Sequence, residues 1–226
     1  MSTGTARPSP PGAPPARSPL RSLRGLATAL TVLLGLCAAT RLLAAAAGVY
    51  RYRALDSFAE VMGLGHSRTL LSMAMSLVLL ATIPTAVVFI VWFHRVRVNA
   101  GVYAPGSFRG GAGWAIGVWF IPVLGWTVLP CLIAAKAWKA SASRLPGRVA
   151  AASPAPVFAW AGGLGAAMLA SGAASWFADG GTSQGALREA ALLGAGSDLV
   201  YAAAAGLAVL FVRRLSALQP ALQPAG

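Results

Sequence analysis

The chain has 226 residues, of which 57% are apolar and only 10% are charged, and its mean hydropathy is +0.69. Because soluble domains carry about a quarter charged residues, this composition argues against a water-soluble globule and against disorder over most of the length. The net charge of +13 does not indicate nucleic-acid binding, since the basic residues lie in short segments beside apolar blocks and not on one amphipathic face.

The sequence opens with a polar segment that contains little to bury. Residues 1–18 are rich in Pro, Ser and Gly, a composition typical of flexible tails. The apolar block that follows is longer than the core of a signal peptide and has a long basic lead-in, so we expect an uncleaved first helix. We therefore predict a disordered cytosolic tail over residues 1–22.

Long apolar blocks occupy most of the remaining chain. A helix rises ~1.5 Å per residue, so ~20 apolar residues cover the ~30 Å hydrocarbon core of a bilayer. The blocks predict an all-α integral membrane helical bundle that forms a single domain over residues 23–219, with a flexible C-terminus at 220–226. Their approximate bounds are 25–50, 70–93, 114–135, 156–178 and 190–212.

The third block differs from the others in carrying helix-breaking residues. It reads WAIGVWFIPVLGWTVLPCLIAA and contains Pro122, Gly125 and Pro130. Proline removes a backbone donor and clashes with the preceding turn, so we predict a broken helix.

The distribution of basic residues predicts how this broken block lies. If the N-terminus is cytosolic and the third block does not cross, 13 of the 18 Lys and Arg residues are cytosolic and 4 are external; if it crosses, the split is 8 to 9. The positive-inside rule favours the first arrangement. We therefore expect four spanning helices in a bacterial plasma membrane, both termini cytosolic, and residues 114–138 as a re-entrant or interfacial segment packed against the bundle.

Basic and aromatic residues alternate from the end of the second helix into the third block. Trp side chains at a membrane interface, with Lys and Arg reaching the head groups, would explain them as anchors. A cytosolic vestibule that holds an anionic head group or ligand is the alternative. The candidate cluster consists of Trp92, Arg95, Arg97, Asn99, Trp114, Lys136, Trp138 and Lys139.

The same stretch carries a pattern of Trp, basic residues and Asn, followed after a spacer by Trp, an aromatic-Ile-Pro triplet, Pro and Trp-basic-Ala-Ser. In this chain the pattern reads VWFHRVRVNAGVY, then FIP, then AWKAS. It resembles a bacterial membrane-protein family known as domain of unknown function 4328. The resemblance extends from about the second helix to VRRLSALQ near the C-terminus. It implies a membrane protein and transfers no catalytic residue to this chain.

Two charged residues of opposite sign lie inside spanning blocks. Arg41 is 17 residues beyond Arg24, and Asp198 is 15 residues before Arg213, so both lie ~22–25 Å from the predicted cytosolic ends at helical rise. Small neighbours on both helices favour an interior pair. Equally open is that Arg41 extends to the outer surface and Asp198 bonds a neighbouring hydroxyl group.

Chemistry-bearing clusters are scarce in the sequence. It has only five acidic residues and no pattern of a catalytic triad, a phosphate-binding glycine loop or a carboxylate pair. Cys37 and Cys131 lie in apolar blocks away from His66 and His94, so we expect no disulfide, metal site or cofactor.

We therefore expect a non-enzymatic multi-pass membrane protein with a structural, interaction or lipid-associated role. Its expected partners are membrane lipids, especially anionic head groups; a homo-oligomer or a membrane-protein partner stays open. The alternative is a transporter or channel subunit for a small solute or ion. It would use the broken helix at Pro122 and Pro130 and a buried Arg41–Asp198 pair, because broken helices and intramembrane charges recur at solute sites.

Overall fold

A computed structural model describes residues 20, 22–55, 61–108, 110–122, 125–143, 153–179 and 183–219. The regular structure of these residues is entirely helical. In chain order the helices are α1 (Arg24–Ala54), α2 (Val61–Tyr103), α3 (Trp114–Gly117), α4 (Val128–Ala142), α5 (Ala155–Asp179) and α6 (Gln184–Leu218), with a 3-10 turn at Val118–Phe120 after α3. Nearly all of the predicted tail over residues 1–22, and the predicted flexible end at 220–226, lie outside the described residues.

Helices α1, α2, α5 and α6 are each long and apolar enough to cross a membrane, which confirms the predicted all-α fold. They are longer than the apolar blocks. The first block was expected to end at residue 50 and the second at 93, whereas α1 and α2 continue to Ala54 and Tyr103. Arg and Lys are good helix formers, so the helix does not end where the charge begins. The chain leaves α2 through Gly106, whose φ is +82°, a conformation that favours glycine.

The long helices lie antiparallel to their neighbours in the chain. Helix α1 packs along both α2 and α6, and α5 packs along α6. The side chain of Gln184 at the start of α6 donates to the carbonyl of Leu55 just after α1. At the other end, Trp92 Nε1 of α2 donates to Ser216 Oγ of α6 at 3.0 Å. The start of α1 and the end of α6 therefore lie at the same end of the bundle.

Helix α4 covers that end of the bundle, called here the α4 end, by packing against α2, α5 and α6. Large aromatic side chains fill the core beneath it. The rings of Trp160 and Phe211 stack with centroids 4.8 Å apart, and the ring of Phe89 lies 5.5 Å from that of Trp160. Such pairs add ~0.5–1.5 kcal/mol each beyond the burial of their area. Stacked and tilted aromatic rings thus form the core of the α4 end.

The opposite end, called the far end, is packed by small residues. A second core cluster there contains Ala44, Ala47, Ala74 and Val78. Helix α1 also approaches α6 closely at Gly48. A Cβ atom at that position would lie 3.1 Å from the Cβ of Ala195. Small residues permit this approach of the two backbones, as at helix interfaces in membranes.

The predicted break in the third block is present. Helix α3 and the 3-10 turn end at Phe120, and α4 begins only at Val128. Pro122 lies in the break, but Pro130 does not interrupt a helix. It is in the first turn of α4, where a backbone N–H has no helical partner to lose.

Candidate functional site

Arg41 and Asp198 form an ion pair in the middle of the bundle. Arg41 Nη1 donates to Asp198 Oδ1 at 2.7 Å, and Asp198 is only 6% exposed. Of the two arrangements that the sequence left open, the structure shows the interior pair. It links α1 to α6 at the level where both helices carry small residues.

The guanidinium group of Arg41 also makes a cation–π contact. It lies over the ring of Tyr201, one turn beyond Asp198 on α6, at 4.1 Å from the ring centroid. A cation over an aromatic face is stabilised by the ring quadrupole, most strongly where water is excluded. Asp198 and Tyr201 therefore hold the Arg41 side chain in one position against α6.

A cleft lies on each side of the pair along the bundle axis, each of about 240 Å³. The cleft towards the α4 end, called the Arg41 cleft, is lined by Arg41 and Tyr201 and by Phe89, Trp119 and Trp160 among others. The cleft towards the far end, called the Asp198 cleft, is lined by both charged residues and by serines and alanines of α5 and α6. The ion pair therefore lies between two clefts.

The broken segment closes the Arg41 cleft at the α4 end. Trp119 of the 3-10 turn meets the ring of Phe89 edge to face, with centroids 5.6 Å apart. Its own Nε1 is buried and has no hydrogen-bond partner within the described residues. Gly125 brings the chain back close beneath this turn, where a Cβ atom would clash with the carbonyl oxygen of Val118. The break thus positions the indole ring of Trp119 at the α4 end of the Arg41 cleft.

Three of the predicted cluster residues share another cleft, of about 380 Å³, between α2 and the α3–α4 segment. Arg97, Trp114 and Lys136 line it. Arg97 Nη2 donates to the carbonyl of Gly110 at 2.8 Å, and its guanidinium group lies 3.6 Å from the ring centroid of Phe108. The Arg97 side chain of α2 is therefore bound to the segment that follows α2, whereas Lys136 and Trp114 are exposed.

The remaining predicted cluster residues do not all lie at the surface. Trp92 and Trp138 were interpreted as interfacial anchors, but both are core residues, 0% and 3% exposed. Asn99 is also buried. Arg95 Nη1 donates to the carbonyl of Ser22 at 3.3 Å, and Lys139 is exposed. The Trp spacing alone did not distinguish an outward from an inward helix face.

One polar contact was not predicted from the sequence. Gln219 is 3% exposed, and its Nε2 donates to Ser141 Oγ at 2.8 Å and to the carbonyl of Val96 at 3.3 Å. The residue follows α6 directly and ties its end to α2 and α4. Gln219 is the last residue of the VRRLSALQ stretch to which the family resemblance extends, but the resemblance did not indicate what its side chain contacts.

A further basic cleft, also of about 380 Å³, lies at the α4 end between the start of α1 and the end of α6. Arg24 and Arg213 line it, with the hydroxyl groups of Thr28, Thr31 and Ser216. The described acidic residues lie elsewhere: Asp179 and Glu189 are at the far end, and Asp198 is in the interior. Every described charge at the α4 end is therefore positive.

The side chains that could bind a metal ion are those of His, Cys, Asp and Glu. In the part of the chain that the structure describes, no three of them lie together as a metal ion would require. Cys37 and Cys131 are free thiols.

No curated protein and no solved structure matches the chain. The family model called Domain of unknown function (DUF4328) matches residues 56–217. The matched stretch includes Asp198 and the broken segment, whereas α1 with Arg41 precedes it. The chain belongs to the DUF4328 family.

Proposed function

We propose that the chain is a non-enzymatic multi-pass protein of the bacterial plasma membrane, whose α4 end faces the cytosol and binds anionic lipid head groups. The observation that supports this most directly is the segregation of charge. The α4 end carries seven described basic residues and no described acidic one: Arg24, Arg95, Arg97, Lys136, Lys139, Arg213 and Arg214.

Orientation follows from the positive-inside rule, which places the more basic end of a bundle in the cytosol. In this orientation both the start of α1 and the end of α6 are cytosolic. The leaflet that the α4 end then meets is anionic and attracts each nearby Lys or Arg by ~1 kcal/mol. A phosphate group would meet more than one donor in two of the clefts described above: the one lined by Arg24 and Arg213, and the one lined by Arg97 and Lys136.

Lipid binding is tested with the purified protein in detergent. We expect added phosphatidylglycerol to raise its melting temperature more than phosphatidylcholine does. Replacing both Lys136 and Arg213 with alanine should remove most of that difference, because both side chains are exposed and each lines one basic cleft. The matched control replaces two exposed far-end residues, Arg53 and Arg68, in the same way.

An equal loss in both double variants would mean that the clefts are not binding sites. No preference for phosphatidylglycerol in the unaltered protein would contradict the lipid-associated role itself.

The ion pair between two clefts favours a second candidate function, a transporter or channel subunit for a small solute or ion. Intramembrane charges and broken helices recur along solute pathways, and here Arg41 lines the spaces on both sides of the pair. Flux into proteoliposomes, measured for the unaltered protein and for Asp198→Asn, tests this function. A flux that Asp198→Asn abolishes would support it, and an absence of flux across ions and small solutes would contradict it.

A further inference from the structure

The Arg41 cleft is an apolar space with hydrogen-bond donors that lack acceptors. We infer that it binds a quinone-type ligand: a neutral six-membered ring that carries carbonyl oxygens and is dissolved in the bilayer. This inference does not depend on lipid binding at the α4 end. It names a ligand where the transport proposal left the solute open, and binding alone does not require transport.

The size of the cleft fits one substituted ring. A cavity of roughly 150 Å³ in an apolar protein core accommodates a benzene molecule, and the Arg41 cleft measures about 240 Å³. Its walls include the aromatic rings of Phe89, Trp119, Trp160 and Tyr201. Aromatic walls favour a flat ring over a flexible acyl chain, because offset and edge-to-face ring contacts add stabilisation beyond apolar burial.

Two donors in the cleft walls need an acceptor. The guanidinium group of Arg41 has five N–H donors, and its only hydrogen bond within the described residues runs from Nη1 to Asp198. Trp119 Nε1 is buried without a partner among those residues. A buried donor without an acceptor costs free energy, and among the described residues Trp119 Nε1 is such a donor. The Arg41 side chain is 20% exposed, so its remaining N–H groups are open to an acceptor in the cleft. A ligand that brings carbonyl oxygens would accept hydrogen bonds from both residues.

The ligand should be neutral. Arg41 and Asp198 already neutralise each other at 2.7 Å, so an anionic ligand at Arg41 would also face the carboxylate of Asp198. Placing an uncompensated charge in such a site is costly. A carbonyl oxygen accepts a hydrogen bond from Arg41 without adding charge.

The cleft is lined from both α2 and α5, which do not pack along each other. Their described ring contact is that of Phe89 with Trp160 at the α4 end, and the exposed residues Thr82 and Ala86 of α2 lie at the rim of the cleft. A molecule that diffuses within the bilayer would therefore enter from the side, between α2 and α5.

The test measures saturable binding to the protein in phosphatidylcholine nanodiscs, relative to empty nanodiscs. The probe is a radiolabelled benzoquinone with a ten-carbon tail. A benzene with the same tail lacks the carbonyl oxygens, and a decanoyl ester carries a carbonyl without a ring. We expect saturable binding of the benzoquinone and weaker binding of both comparison molecules.

Variants test whether this cleft is the site. Trp119→Phe keeps an aromatic ring and removes the unpartnered donor, so it should weaken benzoquinone binding about tenfold, which is the worth of one good hydrogen bond. Its control is Trp176→Phe on the exposed surface of α5. Ala86→Phe should fill the rim and weaken binding likewise, whereas Ala203→Phe on an exposed face of α6 away from the cleft should not.

The role of Arg41 is tested in the double variant Arg41→Leu and Asp198→Leu, which leaves no unpaired charge. We expect it to bind the benzoquinone no better than the alkylbenzene. The inference is wrong if the alkylbenzene binds as tightly as the benzoquinone to the unaltered protein, if the ester binds more tightly, if no probe saturates, or if Ala86→Phe and Ala203→Phe bind equally.

Discussion

Arg41 and Asp198 show at the scale of single residues how helix geometry determined a contact. Counting residues from the basic ends placed both side chains at similar depth, and the structure shows them 2.7 Å apart. Depth alone did not determine that they face each other. Whether they face each other depends on how α1 and α6 are rotated about their axes, and the close approach of Gly48 to Ala195 fixes that rotation. The sequence does not show which helix faces meet, because alanine is abundant on several faces of both helices.

A double-mutant cycle measures how strongly this pair is coupled. Removing one partner leaves an uncompensated buried charge, so we expect Arg41→Leu and Asp198→Leu each to lower the free energy of unfolding by about 3–5 kcal/mol. The double variant should recover most of that loss. The measurement is thermal or denaturant unfolding in detergent, with exposed Arg68→Leu as the control, expected to change stability by less than ~0.5 kcal/mol. Strictly additive single effects would show that the two residues do not interact.

For the broken segment, the sequence predicted that a break exists but did not predict where the next helix begins or what the segment contacts. Pro122 and Gly125 correctly indicated a break, because neither supports a continuous helix there. The sequence did not show that Pro130 belongs to the next helix, since a proline in a first turn and one in a helix interior look alike without the helix start. It also did not show that the break places Trp119 over Phe89.

Gly125→Ala tests whether the break is a fixed piece of structure. The added Cβ atom would clash with the carbonyl oxygen of Val118, so the segment must shift. We expect a loss of about 1–3 kcal/mol or more and a lower yield of folded protein by size-exclusion chromatography. Gly113→Ala is the control, because a Cβ atom at Gly113 would meet no atom within 4 Å. Equal stability of the two variants would mean that the chain does not pack closely at Gly125.

At the scale of the whole molecule, charge and length together determine the proposed topology. Four long helices, each antiparallel to the long helix before it in the chain, bring both the start of α1 and the end of α6 to the basic α4 end. The sequence could predict this arrangement because helix length and loop charge are local properties. It could not predict the aromatic core beneath α4, since the same Trp residues suit an interface or a core.

Reporter fusions test the topology in cells. An enzyme that is active only in the cytosol, fused after Arg148 and separately after Gln223, should be active at both positions if the segment between α2 and α5 returns to the cytosolic face. Fusion after residue 56, between α1 and α2, should be inactive. Opposite signals at residues 148 and 223 would mean that the third block spans the membrane and that the charge argument failed.

The ion pair also has a consequence for biosynthesis, because its partners are 157 residues apart in the chain. At a synthesis rate of ~5–20 residues per second, Arg41 is made roughly 8–30 s before Asp198. During that interval Arg41 lacks the carboxylate of Asp198, so in the proposed topology the insertion of α1 depends on its own apolar residues and on the basic residues that precede it. Asp198 arrives only with α6, so an incomplete chain that ends before it carries an arginine in α1 without the carboxylate that neutralises it in the bundle.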